Sequence, residues 1–323
     1  MICGITLKYD IEDDFNDWKR STDLTFSTPT SIDTGEIITK KRFHIQVTTH
    51  EAEWETFNLI VKEVENTFTR KVIFHLTIKG SLHKNYYLGK NYLPFTWQQL
   101  QLQIKHLCSN LCIDASRASI SGLEIGVNIH TPFEVTPFLR QNIINYKNHP
   151  FNDYKTSRDG LCLGIHCDKP KHYDIKIYDK GMQYNLPYPL MRFEKRFIKM
   201  QPLNKRKIKV LSDLQQQSKV EGLLSELLGA WKSVLIYDID PGKFNQCHFT
   251  TWGKDPKYWE DLKVKKSNSA FYMTLGKFKK CVAENGRGWH ILVKELIEKE
   301  WKALFCGSSL SSDNHISQIT KTG

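Results

Sequence analysis

Residues 172–184 read HYDIKIYDKGMQY, and the fold turns on how that stretch is taken. Ile175 and Ile177 alternate with Asp174, Lys176 and Tyr178, which is the period of a half-buried strand, and Gly181 ends the alternation. In such a strand the isoleucines face a core while Asp174, Lys176, Tyr178 and Lys180 face away from it. A strand that stops on a phenol, a carboxylate and an ammonium raises a chemical question as well as a structural one.

The same alternation recurs on either side. In GLEIGVNIH (122–130), Leu123, Ile125, Val127 and Ile129 share one face, which leaves Glu124, Gly126 and Asn128 on the other. In LMRFEKRFI (190–198), Arg192, Glu194 and Arg196 lie opposite Met191, Phe193 and Phe197. GLCLGIHCD (160–168), RFHIQVTTH (42–50) and KVIFHLTIKG (71–80) are further strands. If the strands around Glu124, Tyr178 and Glu194 are neighbours, the two glutamates converge near the phenol on an open face. Carboxylates that meet there suit a hard divalent cation, Mg²⁺ or Mn²⁺. Cross-strand pairing of each glutamate with Arg or Lys is the structural alternative. Asp179 alternates to the core face of an ideal strand, so its use as a ligand needs the strand to twist or end there.

From Phe95 to Cys112 the period changes: Leu100, Ile104, Leu107 and Leu111 fall three or four apart, an amphipathic helix laid on the sheet. Beyond residue 200 the pattern stays helical. Leu223, Leu227, Trp231 and Leu235 share a face, as do Ile291, Leu292, Leu296 and Trp301, and NKRKIKV (204–210) reads as a linker or basic edge. The expected architecture is α+β, an antiparallel-sheet catalytic domain over residues 1–200 followed by a smaller, basic helical domain over 201–306, with a disordered Ser-rich tail from 307 to 323.

The 323 residues carry a net charge of +11. Residues 201–323 hold 20 basic and 13 acidic side chains, a net +7, against +4 for the first 200. A polyanionic partner is expected, with the lysines at 263, 265, 266, 277, 279 and 280 as a duplex-facing set. The eight cysteines show no Cys-x-x-Cys spacing and read as reduced thiols. With no signal peptide and no run of about 18 apolar residues, the sequence predicts a soluble, cytoplasmic protein and no membrane partner. His166, Cys167, Asp168 and His172 are weighed as a zinc loop and set aside for want of paired ligand spacing.

Together GLEIGVNI, IKIYDKGMQY and LMRFEKRFIKM, in this order, resemble the strands of rolling-circle replication initiators of plasmids and filamentous phages. KGSLHKNYYLGKN (79–91) is similar to a Gly- and Lys-containing segment of the phage group. The resemblance spans about residues 75–200. It implies a metal-dependent nickase and strand transferase that holds a 5′-phosphate on a tyrosine: Tyr178 as nucleophile, Asp179 as the acid after it and Glu194 as the acid of the Arg-Phe-Glu strand. Glu124 stands where plasmid members usually have aspartate. The residues themselves leave Tyr173, Tyr178 and Tyr184 as alternatives for the attacking group.

A phenol needs help to attack at neutral pH, and Lys176 or Lys180 is expected to stabilise its anion. Lys84, Tyr86 and Lys90, where basic residues interleave with aromatics, are expected to track single-stranded DNA together with Lys176 and Arg192. Origin DNA, single- and double-stranded, is the expected partner, with a host helicase or polymerase and a second copy of the chain as further candidates. A non-enzymatic DNA-binding regulator of a mobile element, or an RNA-binding module, is the alternative function.

Overall fold

The structure is a computed structural model that describes residues 1–12, 14–155, 160–249 and 251–306. The predicted tail at 307–323 lies outside the described residues. The strands, in chain order, are β1 (Ile2–Ile11), β2 (Thr39–Arg42), β3 (Ile45–Trp54), β4 (Phe57–Asn66), β5 (Val72–Ser81), β6 (Ser119–His130), β7 (Ile143–Tyr146), β8 (His149–Pro150), β9 (Asn152–Lys155), β10 (Cys162–Cys167), β11 (Tyr173–Asp179), β12 (Leu190–Phe197) and β13 (Val234–Ile236). Ten of them form one sheet in the order β2-β3-β4-β5-β1-β6-β12-β11-β10-β9, and β13-β7-β8 form a small second sheet. Neighbours in the large sheet run antiparallel. The fold is α+β, as the alternation predicts.

The alternating apolar residues do build one core face. Ile125 and Val127 of β6, Phe193 of β12, and Ile175 and Ile177 of β11 are all 1% exposed or less. The predicted helix runs from Trp97 to Asn110 and buries Leu100, Ile104 and Leu107 against this face. Thr96 and Gln99 start it with a reciprocal capping box.

A division at residue 200 does not follow the core. Leu203, Ile208, Leu211, Leu227, Trp231, Val293, Ile297 and Trp301 belong to the same apolar cluster as the sheet. The Trp231 ring meets Phe193 at 5.4 Å, and the Trp97 amide donates to Leu304 O at 2.8 Å. The 204–210 run is no linker, because Ile120 N donates to Lys209 O at 2.8 Å and Ile208 is buried. Leu223, Leu227 and Trp231 are buried as predicted, whereas Leu235 belongs to β13. In the helix Trp289–Ala303 the buried line is Val293, Ile297 and Trp301, and Ile291 is 59% exposed.

A second, smaller cluster joins Ile144 of β7 to Tyr237, Phe249, Trp259, Phe271 and Phe278. Within it Cys247 and Cys281 form a disulfide, with their Cα atoms 5.9 Å apart. The expectation of reduced thiols therefore fails for this pair. Their 34-residue separation carries no signal, and packing of residue 247 against the helix Asn268–Asn285 brings them together. Among the described residues no helix is long and apolar enough to cross a membrane.

Candidate active site

The strands around Glu124, Tyr178 and Glu194 are immediate neighbours, β6-β12-β11. Their register sets Glu194 between Gly126 and Lys176, Arg192 between Asn128 and Tyr178, and Arg196 between Glu124 and Asp174. The polar residues of the three strands thus share one face. Two glycines make room on it. A Cβ at Gly126 would stand 2.7 Å from Phe193 O and 2.8 Å from Glu194 Cγ, and one at Gly164 of β10 would stand 2.5 Å from Tyr178 Cα.

Tyr178 Oη donates to Glu194 Oε1 at 3.0 Å, and Arg192 Nε donates to the same oxygen at 2.6 Å. Arg192 Nη1 donates to Asn128 Oδ1 at 2.9 Å, and Nη2 to Cys3 Sγ. Both contacts to Glu194 converge on Oε1, which leaves Oε2 without a hydrogen-bond partner among the described residues. Glu124 faces Lys176 Nζ at 3.8 Å, beyond hydrogen-bond length. One oxygen from each glutamate and Cys3 Sγ lie within 4.8 Å of one another.

The expectation of an open face is not met. Tyr178 is 4%, Glu194 3% and Arg192 1% exposed, and the Tyr154 ring of β9 covers Tyr178 at 5.1 Å. Burial dominates the electrostatics. Burial, and then the Glu194 charge, push the Tyr178 phenol well above its ordinary pKa. Burial also opposes the charge on Glu194, but Arg192, Lys176 and Lys180 outweigh it and hold that carboxyl below its ordinary value. Burial, and then Glu194, push Glu124 up to about 7. Burial, and then Arg192, pull Lys180 down to about 7. Lys180 sits 5.1 Å from the Tyr178 ring centroid and is only partly charged near neutrality, so it does not offset the cost of a buried phenolate.

Other predicted residues are placed differently. Asp179 stands apart from Glu124 and Glu194: it caps the short helix Lys180–Tyr184, accepting from Met182 N at 2.8 Å and from Thr136 Oγ1 at 2.9 Å. The strand ends at Asp179, but into a helix, so the carboxylate stays on the core side as an N-cap and is no ligand of the Glu124–Glu194 pair. Arg192 is corrected from a DNA contact to a buried hydrogen-bonding hub. Lys180 Nζ donates to Asn91 Oδ1 at 2.5 Å and to Gln183 Oε1 at 2.7 Å. Lys176 is partly buried against Glu124 and the Tyr154 ring. Lys84 and Lys90 are exposed, whereas Tyr86 is half-buried and packs on Tyr87 at 4.9 Å and on Phe95. Tyr173 lies on the other side of the sheet, paired with Tyr146 at 3.0 Å, and Tyr184 donates to Asn91 Oδ1 at 2.8 Å. Cys167 pairs with Ile175 on the core face and His166 with Lys176 on the other, so the two cannot ligate one ion.

Asn91, Asn128, Cys3 and Tyr154 complete the site and were given no role from sequence; His83, from the basic and aromatic 79–91 segment, joins them. Asn91 is the final residue of the 79–91 segment and Asn128 lies on the polar face of β6, so both had a positional signal. Cys3 had none.

No family model and no curated protein match the chain. One solved structure does, the rolling circle replication initiator protein from Geobacillus stearothermophilus, at 9% identity over 72% of this chain and 84% of that chain, with a TM-score of 0.35.

Proposed function

We propose that this chain nicks one DNA strand at an origin through Tyr178 and so starts rolling-circle replication of a plasmid or phage. The observation that carries this is the 3.0 Å hydrogen bond from the Tyr178 hydroxyl to Glu194, inside a pair of converging carboxylates. It agrees with the three strand motifs that resemble those initiators, and the +11 charge suits a DNA partner. Glu124 and Glu194 fit a divalent cation, because Glu194 keeps one oxygen free of hydrogen bonds among the described residues and Glu124 meets Lys176 only at 3.8 Å. When bound, Mg²⁺ or Mn²⁺ would supply positive charge to the scissile phosphate.

The residues then divide the work. Glu194, fixed by Arg192, accepts the Tyr178 proton. Tyr178 Oη bonds to phosphorus as the P–O3′ bond breaks, which leaves the 5′-phosphate on the tyrosine. Lys180, poised near neutrality, gives one of its own ammonium protons to the departing 3′ oxygen and is left neutral, while Glu194 keeps the Tyr178 proton. Because Tyr178 is 4% exposed, a phosphodiester reaches it only after covering side chains give way. Lys84 and Lys90 would meet strand phosphates, and the lysines between 263 and 280 the duplex.

The test is covalent trapping on supercoiled and single-stranded origin DNA with Mn²⁺ or Mg²⁺. The parent chain should give a denaturation-resistant adduct on the peptide that contains Tyr178. Tyr178→Phe should give none, while Tyr173→Phe and Tyr184→Phe retain it. The burial of Tyr178 and the Arg192 pairing of Glu194 favour a second reading, a non-enzymatic DNA-binding protein. Absence of any adduct with any divalent metal would leave that one standing.

A further inference from the structure

A third ligand-type atom stands beside the two carboxylates. In the β1–β6 ladder Ile2 pairs with Ile125 and Ile5 with Leu123, so the register slips between them. Ile2 and Ile5 are both buried in the core, three positions apart, which alternation alone would forbid. The bulge absorbs the difference and turns Cys3 toward Glu124 and Glu194. Cys3 is 1% exposed, with Sγ inside the 4.8 Å cluster of ligand atoms.

A second observation points at the same sulfur. His83, 1% exposed, donates from Nε2 to Leu93 O at 3.0 Å, which leaves Nδ1 as the unprotonated nitrogen, 3.8 Å from Cys3 Sγ. The sulfur therefore has a proton acceptor on one side and the Arg192 guanidinium on the other. One Glu194 oxygen lies within 4.8 Å of it, and Glu194 Oε2 makes no hydrogen bond among the described residues.

We propose that Cys3 is a metal ligand, and that Cys3, Glu124 and Glu194 form a mixed thiolate–carboxylate site that takes Zn²⁺, or Co²⁺ in its place, in preference to Mg²⁺. Thiolate favours such borderline ions, whereas Mg²⁺ keeps oxygen ligands. Binding releases the thiol proton to solvent as the metal–sulfur bond forms. The proposal rests on the reading of the two glutamates as cation ligands, but not on the nicking step.

The experiment is an anaerobic Co²⁺ titration of the full chain without added reductant, which keeps the Cys247–Cys281 disulfide, read by absorption. A thiolate-to-cobalt charge-transfer band should rise to one equivalent, disappear when stoichiometric Zn²⁺ is added, and survive excess Mg²⁺. Cys3→Ser and Cys3→Ala, with their folds checked by circular dichroism, should lack the band and lose more Zn²⁺ affinity than the roughly 10- to 100-fold typical of an outer-shell partner. A band that persists in both variants, or that Mg²⁺ abolishes, overturns the proposal. If the parent chain shows no band but binds Mn²⁺ calorimetrically in a manner that Glu124→Gln weakens and Cys3→Ala does not, the thiolate ligand is wrong while the carboxylate site stands. If no divalent ion binds at all, both fail.

Discussion

The two faces of β6, β12 and β11 bury their central residues by opposite means. One face sets Ile125, Val127, Phe193, Ile175 and Ile177 against helices, where the gain is apolar area removed from water. The other buries Arg192, Glu194, Tyr178 and Lys180, where each charge or dipole is tolerable only because a partner answers it. The apolar face is a store of stability, whereas the ionic face holds titratable groups whose pKa values burial shifts, at a cost in stability. Substitutions on the first should therefore act on folding alone, and those on the second should depend on pH and on which partner remains.

The largest contrast is between adjacent residues of β12. Phe193→Ala should cost about 3 to 5 kcal/mol through lost burial and a cavity, equally at pH 5 and pH 8. Arg192→Met should cost about as much, roughly 3 to 5 kcal/mol, by leaving Glu194 buried and uncompensated, but Glu194→Gln added to it should restore at least half. Lowering the pH should also lessen the Arg192→Met defect, since an unpaired buried carboxyl takes up a proton. Urea unfolding of the four proteins at both pH values decides the matter. An Arg192→Met defect that neither acid nor Glu194→Gln relieves would make Arg192 a packing residue and erase the contrast between the faces.

A smaller effect separates the faces by titration. The folded-state pKa of Lys180 is about 7, below the ordinary lysine value of 10.5, so between these values the unfolded chain binds more protons than the folded one. Stability from this group therefore rises with pH over that window and is lost as pH falls through about 7. Lys180→Met removes the dependence. The difference in unfolding free energy between parent and Lys180→Met should move in the parent's favour by about 2 to 4 kcal/mol from pH 7 to pH 10. A difference that stays flat would show that Lys180 titrates as an ordinary lysine.

The apolar face was legible because alternation is a local property: Ile175, Ile177, Ile125 and Phe193 announce themselves within a few residues of sequence. The convergence of Glu124, Tyr178 and Glu194 was legible only as a condition on strand adjacency, which β6-β12-β11 satisfies. What the pattern hid was long-range. Cys3 enters through a register slip on another strand, and Arg192, which alternation places on a polar face, is covered by residues from far along the chain. Asp179 was obscured for a local reason, since strand end and helix N-cap compete for the same residue type. The continuous core past residue 200 was missed because helical periodicity gives the buried side of a helix but not what it packs on.

The smallest effect tests where the ionic face ends. Tyr184 shares Asn91 Oδ1 with Lys180, and its ring lies 4.9 Å from the Lys180 ammonium, so it borders the buried charges without touching Glu194. Tyr184→Phe keeps the ring and its contact with that ammonium and removes only one hydrogen bond of 2.8 Å. Asn91 Oδ1 still accepts from Lys180, so no buried acceptor is left bare, and the loss should be about 1 kcal/mol or less. The adduct on Tyr178 should form at parental yield. If instead Tyr184→Phe costs several kcal/mol, the Asn91 segment is part of the charge network and not its rim. If it abolishes the adduct at unchanged stability, the tyrosine assignment moves from β11 to the helix that follows it.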